Sequence, residues 1–583
     1  MGKTGALLLV LIFLTSQCSA VFLRPNVQAI TAPFTGEIRI APDGTVQGTS
    51  MITRNDNVYT LVGDISGSVD NGQNFITIEK NGVIFDGSDK TIRGTGTGVA
   101  IAVYGRKDVT IKNTRIIDFG TGIELRATDF ETNSTGSNNK ILENYLESEY
   151  WGMSLDTNKG VISDNTIVSK NDKYGVLFRC SNTEFSNNAF IDGGLIRFEP
   201  ATQNFFSNNT INGKPLVYLE GQASQVIDNA AQVFLVDCKN MMVRNVDTTA
   251  HLRVTIELSE TTNTQVSNCK GNIVLRNSHS NTIVDNNLTD IGSMVSYSSS
   301  AIELSGSNNN TITDNSIEVI NSYGVLLTGS SYNHVQTNDV SSTGQAAITL
   351  ESTMQSNSEF NYIYENSVTC TETGILFKTG VRNNVVFKNT LTGCKNSITL
   401  SSGHNNTFLG NNITGSTQYA LYLYISDHNT FYHNNFLNNA QQAYENHQVY
   451  WWTIQNDTYY SEYNTWDNGE EGNYWDDYSG SDVNGDGIGE TPYTVYENFT
   501  DKYPLTTPFD INSFSIELPE WTSPSSKPSP EPQPENTEPS TSPEPEIYST
   551  ASAATVSVVS AAIIGVGLLV YFKKRCVKPR GEA

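Results

Sequence analysis

Cysteine is scarce in this chain, with seven in 583 residues. Five of them, Cys180, Cys238, Cys269, Cys370 and Cys394, lie between the two apolar ends, too few for a disulfide scaffold. Charge is scarce too, at 16% of residues, and positive charge most of all. Lys and Arg number 35 against 61 Asp and Glu, a net charge of −26. That balance argues against nucleic acid or an anionic membrane surface as partner, and it suits cation binding and solubility outside a cell. No segment before residue 550 has the period of an amphipathic helix. The seven histidines (His251, His279, His334, His404, His428, His433 and His447) are scattered, whereas copper would want clustered His, Met or Cys. His404, His428 and His433 fall on neighbouring repeats and read as solvated turn residues.

What the chain does have begins at its ends. Lys3, the apolar run Ala6–Leu14 and the small residues Ser19-Ala20 have the order of a secretory signal peptide, residues 1–20. Residues 551–572 are uncharged and apolar, long enough for a bilayer-crossing helix. Lys573-Lys574-Arg575 follow at once, which keeps residues 573–583 cytoplasmic and the bulk of the chain outside the cell membrane. Residues 511–550, densest in Pro, Ser, Thr and Glu from Thr522 to Glu546, cannot bury enough apolar surface to offset their ordering entropy. They read as an extended stalk.

Between the ends runs a repeat. Asn, any residue, apolar, two residues, Asn, any residue, apolar recurs, for example as Asn281-Thr-Ile283-Val-Asp-Asn286-Asn-Leu288 and Asn384-Val-Val386-Phe-Lys-Asn389-Thr-Leu391. Its second Asn falls at 144, 165, 188 and 209, then at 286, 315, 338, 366, 389, 411 and 434. The phrase is degraded between these blocks, where Asn229, Asn245 and Asn268 keep the beat. Short two-residue alternations separated by Asn, Gly and Ser mean short strands. A unit of about 22 residues without a leucine framework or a blade-length period fits a parallel β-helix with three strands per coil. We therefore expect an all-β, right-handed parallel β-helix of roughly fifteen coils, each rising about 4.8 Å, with a C-terminal transmembrane helix. An N-terminal cap with the first strands would occupy 21–80, the coils 81–440, and an aromatic cap 441–510. The recurring Asn should adopt the left-handed conformation at a turn and stack its amide along the axis. Repeat steps of 29 and 28 residues mark insertions near Ser293–Ser300 and Thr353–Glu359. Cys370 and Cys394, one repeat apart, are either a disulfide or two buried thiols.

One stretch points to a metal. Asp482-x-Asn484-x-Asp486-Gly487-Ile488 places oxygens at alternate positions, as a calcium loop does, with the Ile488 carbonyl and Glu490 as further ligands. The twelfth position is Tyr493, so Asp476, Asp477 or Asp501 would have to close the site. The expected ion is a structural Ca²⁺ that pins the cap. The cap also concentrates Tyr450, Trp451, Trp452, Tyr459, Tyr460, Trp466, Tyr474 and Trp475, which would seal the open end of the core or stack on sugars. Sequons at Asn133, Asn208, Asn287, Asn309, Asn405, Asn412, Asn456 and Asn498 make the chain a candidate glycoprotein.

Two stretches carry a family resemblance. Asn81-Gly82-Val83-Ile84-Phe85-Asp86-Gly87-Ser88 with Thr91-Ile92-Arg93-Gly94 resembles the opening coil of NosD-type β-helix proteins. Gly472-Asn473-Tyr474-Trp475-Asp476-Asp477-Tyr478, the 482–493 loop and Asp501-Lys502-Tyr503-Pro504-Leu505 resemble the terminal signature of that periplasmic copper-binding family and of related membrane-anchored archaeal surface proteins. The resemblance implies the β-helix fold and, from the wider superfamily, polysaccharide binding. The Asn-Thr-Asp, Gly-His-Gly and Arg-Ile-Lys signatures of galacturonan hydrolases are absent, and no complete catalytic motif is present. The expected protein is a cell-surface binder of envelope or extracellular polysaccharide, or a structural envelope protein. A polysaccharide lyase, hydrolase or epimerase with a diverged site is the second reading, and a copper maturation factor the third.

Overall fold

The computed structural model describes residues 37–129, 134–170, 174–198, 201–249, 254–290, 300–446, 464–496 and 499–516. The expected signal peptide, transmembrane helix, basic tail and stalk beyond 516 lie outside the described residues, as do most of the insertion near Ser293 and the aromatics Tyr450, Trp451, Trp452, Tyr459 and Tyr460. The described chain is all strand, with no helix, and so none long and apolar enough to cross a membrane.

One coil shows how sequence becomes fold. Thr311–Thr313, Ser316–Val319 and Tyr323–Thr328 are three short strands, each parallel to its counterpart one coil on, at His334–Gln336, Asp339–Ser342 and Ala346–Glu351. Alternation sends Ile312, Ile317, Val325 and Leu327 inward, each at most 1% exposed, while the residues between face out. Repetition of this unit builds one continuous apolar core from Ile227 to Val495. The insertion at Thr353–Glu359 is a surface loop closed by Thr353 N–H on Ser356 C=O. Cys370 and Cys394 form a disulfide between successive coils, and Cys180, Cys238 and Cys269 are buried thiols.

The recurring Asn divides its expected role with its neighbour. Ladder residues such as Asn389 do not have positive φ. The residue before each does: Glu143, Asp164, Asp285, Asp314, Thr337, Glu365 and Lys388 all have φ between 49° and 58°. The Asn itself sits inside the corner. Asn389 is fully buried, and its Oδ1 accepts from Asn366 N–H at 3.0 Å and Asn366 Nδ2 at 2.9 Å. Its Nδ2 donates to Ile363 C=O at 2.8 Å and reaches Asn411 Oδ1 at 3.0 Å. In these later coils two such ladders run in parallel, Asn281 to Asn464 and Asn286 to Asn473, as one does from Asn144 to Asn209 in the earlier coils. Hydroxyls form a third, in which Thr261, Ser278, Ser307, Ser330 and Ser358 accept amides from the coil before.

The coils do not form a single stack. After Thr210–Ile211 the chain reverses through Asn212-Gly213, both at positive φ, into an antiparallel pairing with Lys214–Pro215. Asn-Gly is the pair that a two-residue hairpin turn favours, because both central positions need positive φ. Beyond it a second stack begins, and its first strands turn their outer face onto the end of the first stack. Gln232, fully buried, accepts from Leu195 N–H at 3.0 Å and donates to Leu195 C=O at 2.8 Å, replacing the coil that would otherwise follow. Phe234 packs against Phe178, and Tyr218 stacks on Phe206. Arg197, inward-facing in the last coil, pairs with Glu257 of the second stack at 2.9 Å, both side chains under a tenth exposed. The degraded phrase over 209–286 is this junction. There Asn229, Asn245 and Asn268 are the left-handed residues, and Ala230, Val246 and Cys269 stand where the ladder Asn would be.

At the other end both ladders continue into the cap. Asn464 and Asn473 are their last rungs, Trp466 stacks on Phe431 at 4.8 Å, and Trp475 on Phe436 at 4.2 Å. Asp501 closes the second ladder, accepting from Asn473 N–H at 2.7 Å, Trp475 Nε1 at 2.9 Å and Tyr503 N–H at 3.1 Å. Burial raises its pKa to about 6, against the lowering effect of those donors. Burial likewise raises inward-facing Glu445 to about 7.

Two outcomes are expected. Asn389→Ala orphans a run of buried backbone groups and should lower the unfolding free energy by on the order of 3 kcal/mol in denaturant titration. Asp501 holds a proton in the folded state that the unfolded chain releases. Its stabilising contribution is complete below pH 3.8 and is lost as pH rises through about 6. Amide exchange over Asn464–Leu505 should therefore quicken between pH 5 and pH 8, by roughly 1.4 kcal/mol in opening free energy, and Asp501→Asn should flatten that slope.

Candidate functional site

The loop Asp482–Glu490 is held on the cap by Gly489 N–H on Pro504 C=O and Thr506 N–H on Gly487 C=O. Gly485 and Gly487, at φ 81° and 89°, allow the tight winding. Asp482 Oδ1 and Oδ2 accept from Gly485 and Gly487 N–H at 2.6 and 2.8 Å. Asn484 Oδ1 accepts from Asp486 N–H, and Asp486 Oδ1 from Ile488 N–H, each at 2.9 Å. Glu490 folds back to take Val483 and Asn484 N–H. The expected donors Asp482, Asn484, Asp486 and Glu490 are thus on one winding, each oxygen sharing an amide. The three closing carboxylates do not join them. Asp476 accepts from Asn438 N–H and Gln442, Asp477 accepts from Tyr493 Oη at 2.9 Å, and Asp501 is committed to the ladder. Among the described residues, no three His, Cys, Asp or Glu side chains are grouped to hold a metal ion.

Two of the three neighbouring histidines do meet. His404 and His428 both contact Asp427 Oδ1, the latter at 3.1 Å. Burial opposes charge on Asp427, but the hydrogen bonds from His428 and His404 outweigh it and lower its pKa. His433 instead pairs with Glu471 at 2.6 Å and stacks on Phe509. Of the cap aromatics, Trp466 and Trp475 are buried seals, at 2% and 1% exposure.

The surface most suited to a ligand was not among the sequence candidates. On the outer face of the sheet that starts at Lys214–Glu220, register places Leu326, Thr349, Leu376, Thr399, Tyr422 and Tyr444 in one column along the axis. The column beside it runs Tyr323, Ala346, Thr373, Asn396, Tyr419. In the last coils three half-buried rings come together. Tyr422 and Tyr444 stack at 5.4 Å and 11°, and Tyr419 lies 5.3 Å from Tyr444. Burial, and then Tyr444 and Tyr419, raise the Tyr422 pKa, so its phenol stays neutral. Further up the same face Lys378 sits 4.7 Å over the Tyr323 ring and pairs with Glu351 at 3.0 Å. Burial opposes the Lys378 charge, yet the contacts with Tyr323 and Glu351 raise its pKa. A single face thus offers apolar ring edges, phenol hydroxyls and an ion pair in axial register. The alternation of Ala420-Leu421-Tyr422-Leu423 carried the signal, for it sends Tyr422 outward.

Comparison with known proteins agrees with this architecture. The family described as Periplasmic copper-binding protein (NosD) matches residues 207–393 and 292–480, and that described as Right handed beta helix region matches 68–239. No curated protein matches the chain. Among solved structures, a double mutant of the periplasmic alginate epimerase AlgG is 12% identical with a TM-score of 0.25, over 69% of this chain and 84% of that one. A mutant DFA-IIIase from Arthrobacter chlorophenolicus A6 in complex with DFA-III is also 12% identical with a TM-score of 0.25, over 62% and 90%. The Dettilon tailspike protein is 13% identical with a TM-score of 0.22, over 58% and 61%. The two family matches together run without a gap from residue 68 to residue 480, and with the parallel strand register they show a right-handed β-helix, of which residues 207–480 are similar to the NosD family.

Proposed function

We propose that the protein binds polysaccharide at the outer surface of a cell, with the tyrosine-bearing face of its second stack as the contact surface. The observation that carries this reading is the cluster of three outward rings in the last coils, Tyr422 in axial register with Tyr444 and Tyr419 packed against both. Pyranose rings present apolar C–H faces and hydroxyl edges. Tyrosine matches both, with a rigid ring to stack and a phenol to hydrogen-bond. A polymer lying along the axis meets the Tyr422 and Tyr444 rings in two successive coils. Each added contact then becomes an intramolecular event. The placement outside the cell rests on the signal peptide, stalk and apolar segment read from the sequence. The Cys370–Cys394 disulfide, typical of oxidising compartments, supports it.

We also propose that the Asp482–Glu490 loop takes up Ca²⁺. Its donors are hard oxygens, and an ionised carboxylate that accepts an amide keeps lone pairs for a cation. Asp482, Asn484, Asp486, the Ile488 carbonyl and Glu490 would hold the ion. Bound there, it would tie this loop to the strand end at Leu505 and so to the last rung of the ladder.

Two experiments test these readings. In pull-down and calorimetry of the purified full chain against neutral and acidic polysaccharides, Tyr422→Ala and Tyr444→Ala should each weaken binding at least about tenfold, or 1.4 kcal/mol, with little change in thermal midpoint. Absence of binding to any polymer would sink the proposal. For the loop, Ca²⁺ added to chelator-treated protein should raise the unfolding midpoint, by about 2.7 kcal/mol of stability at a hundredfold excess over Kd. Asp486→Ala should abolish the response, and an unchanged midpoint in the wild-type protein rejects the ion.

A further inference from the structure

The first stack carries a cleft that the tyrosine face does not account for. It encloses about 500 Å³ and is lined by Gly94, Thr95, Gly96, Thr97, Asp118, Glu149 and Tyr150. Its parts come from successive coils. The 94–97 turn lies between strands Thr91–Arg93 and Val99–Tyr104, and the other lining residues sit where the long strands Arg115–Arg126 and Tyr145–Leu155 bend. Register shifts between Ile117 and Thr121 mark that bend, and Asp118 there has φ 62°. The turn is built to be close and bare. A Cβ on Gly94 would meet Asp118 C=O at 2.4 Å and the Phe119 ring at 2.7 Å, and Gly96 has φ 98°. Tyr150 stands at the rim, 47% exposed.

The charges are fixed before any ligand arrives. Lys170 Nζ lies 2.5 Å from Asp118 Oδ1, 3.2 Å from Glu149 Oε1 and 3.3 Å from Glu147 Oε1, and Arg93 also pairs with Asp118. Burial opposes the Lys170 charge, but Asp118 and then Glu149 hold its pKa far up. Burial likewise opposes ionisation of Asp118, and Lys170 and Arg93 more than reverse it. Asp118, which lines the cleft, is therefore ionised at neutral pH and is not the proton donor that cleavage of a glycosidic bond needs. Three carboxylates against two cations leave the group with one net negative charge. Such a site repels carboxylated or sulfated sugars and attracts hydroxyl and ammonium donors.

We propose that this cleft is a second carbohydrate-binding site, separate from the tyrosine face, and that it selects neutral or amino-bearing sugars over uronates. The Tyr150 ring supplies the stacking surface, the Glu149 and Asp118 oxygens accept from sugar hydroxyls or an ammonium group, and Gly96, where a Cβ would stand 3.7 Å from Glu149 Cγ, leaves that wall open to the ring. The test is calorimetry of the full chain with three probes: a glucosamine oligomer, a neutral glucan oligomer and an oligogalacturonate. The glucosamine and glucan oligomers should bind and the oligogalacturonate should not. Tyr150→Ala should weaken that binding at least about tenfold, while Tyr422→Ala leaves a Tyr150-dependent component intact. Circular dichroism checks that the exposed Tyr150→Ala substitution preserves the strand signal. Glu149→Gln removes the net negative charge and should shift preference from the glucosamine to the glucan oligomer. Affinities unchanged in Tyr150→Ala, or tighter binding of the oligogalacturonate through Tyr150, would overturn the proposal without touching the tyrosine face.

Discussion

Every corner of a parallel β-helix poses the same problem: the chain must turn inside a nearly dry rod, leaving amide and carbonyl groups that water cannot reach. In this protein the buried Asn side chain solves it. One amide accepts two hydrogen bonds from the coil before and donates to carbonyls of that coil and to the next Asn, so each rung completes its neighbour. The arrangement is cooperative, because a rung without its successor exposes acceptors and donors in a low-dielectric setting. It also explains why so polar a chain folds: much of its Asn serves as internal wiring. The cost is a left-handed residue before each rung, roughly 1–2 kcal/mol where that residue is not Gly or Asn. The chain accepts it with Lys388, Glu365 and Thr337.

The ladder ends at the cap and the first stack ends at the junction, and the two ends are handled by different chemistry. At the cap both oxygens of Asp501 accept, so it terminates a series that donates forward. At the junction between stacks no rung is available, and a side-chain amide from the second stack, Gln232, mimics the missing backbone of the next coil. The Arg197–Glu257 pair beside it is buried on both sides, so removing either partner alone would strand a charge in the core. That coupling gives the junction a defined geometry instead of a loose hinge, and the outer face of one stack thereby becomes the end plate of the other.

How much of this was legible depends on whether the signal was local. The Asn phrase, the alternation and the repeat length are local, and they specify strands, coil and core face. The left-handed residue was misplaced by one position because Asn is itself a common left-handed residue, and composition alone cannot tell a turn Asn from a ladder Asn. The break at 212–213 had a local signal as well, the Asn-Gly pair, but within so Asn-rich a sequence it reads as one more corner. The oxygen pattern of 482–490 was legible and its closure was not, since Asp476, Asp477 and Asp501 take partners far away in sequence. The cleft was beyond reach for the same reason. Asp118, Glu149 and Lys170 are separated by 31 and 21 residues and converge only because bends in two strands face them to one side.

The two proposed contact surfaces divide labour in a way the fold itself favours. A flat outer sheet face repeats at the coil spacing and can meet a polymer only through groups that also repeat, so its specificity for a particular sugar is intrinsically low and its gain comes from length. A bend in the coil breaks that periodicity. It creates concavity, brings charges from different coils onto one ammonium group, and can discriminate by charge and shape where the sheet cannot. The mixed ion cluster around Lys170 then has a reason to be ion-paired: a site with fixed charge keeps its selectivity as pH varies, whereas a lone buried carboxyl such as Glu445 would change character near pH 7. On this view the ladder provides the rigid periodic surface for avidity, and the departures from periodicity, at the cleft and at the cap, are where chemical choice resides.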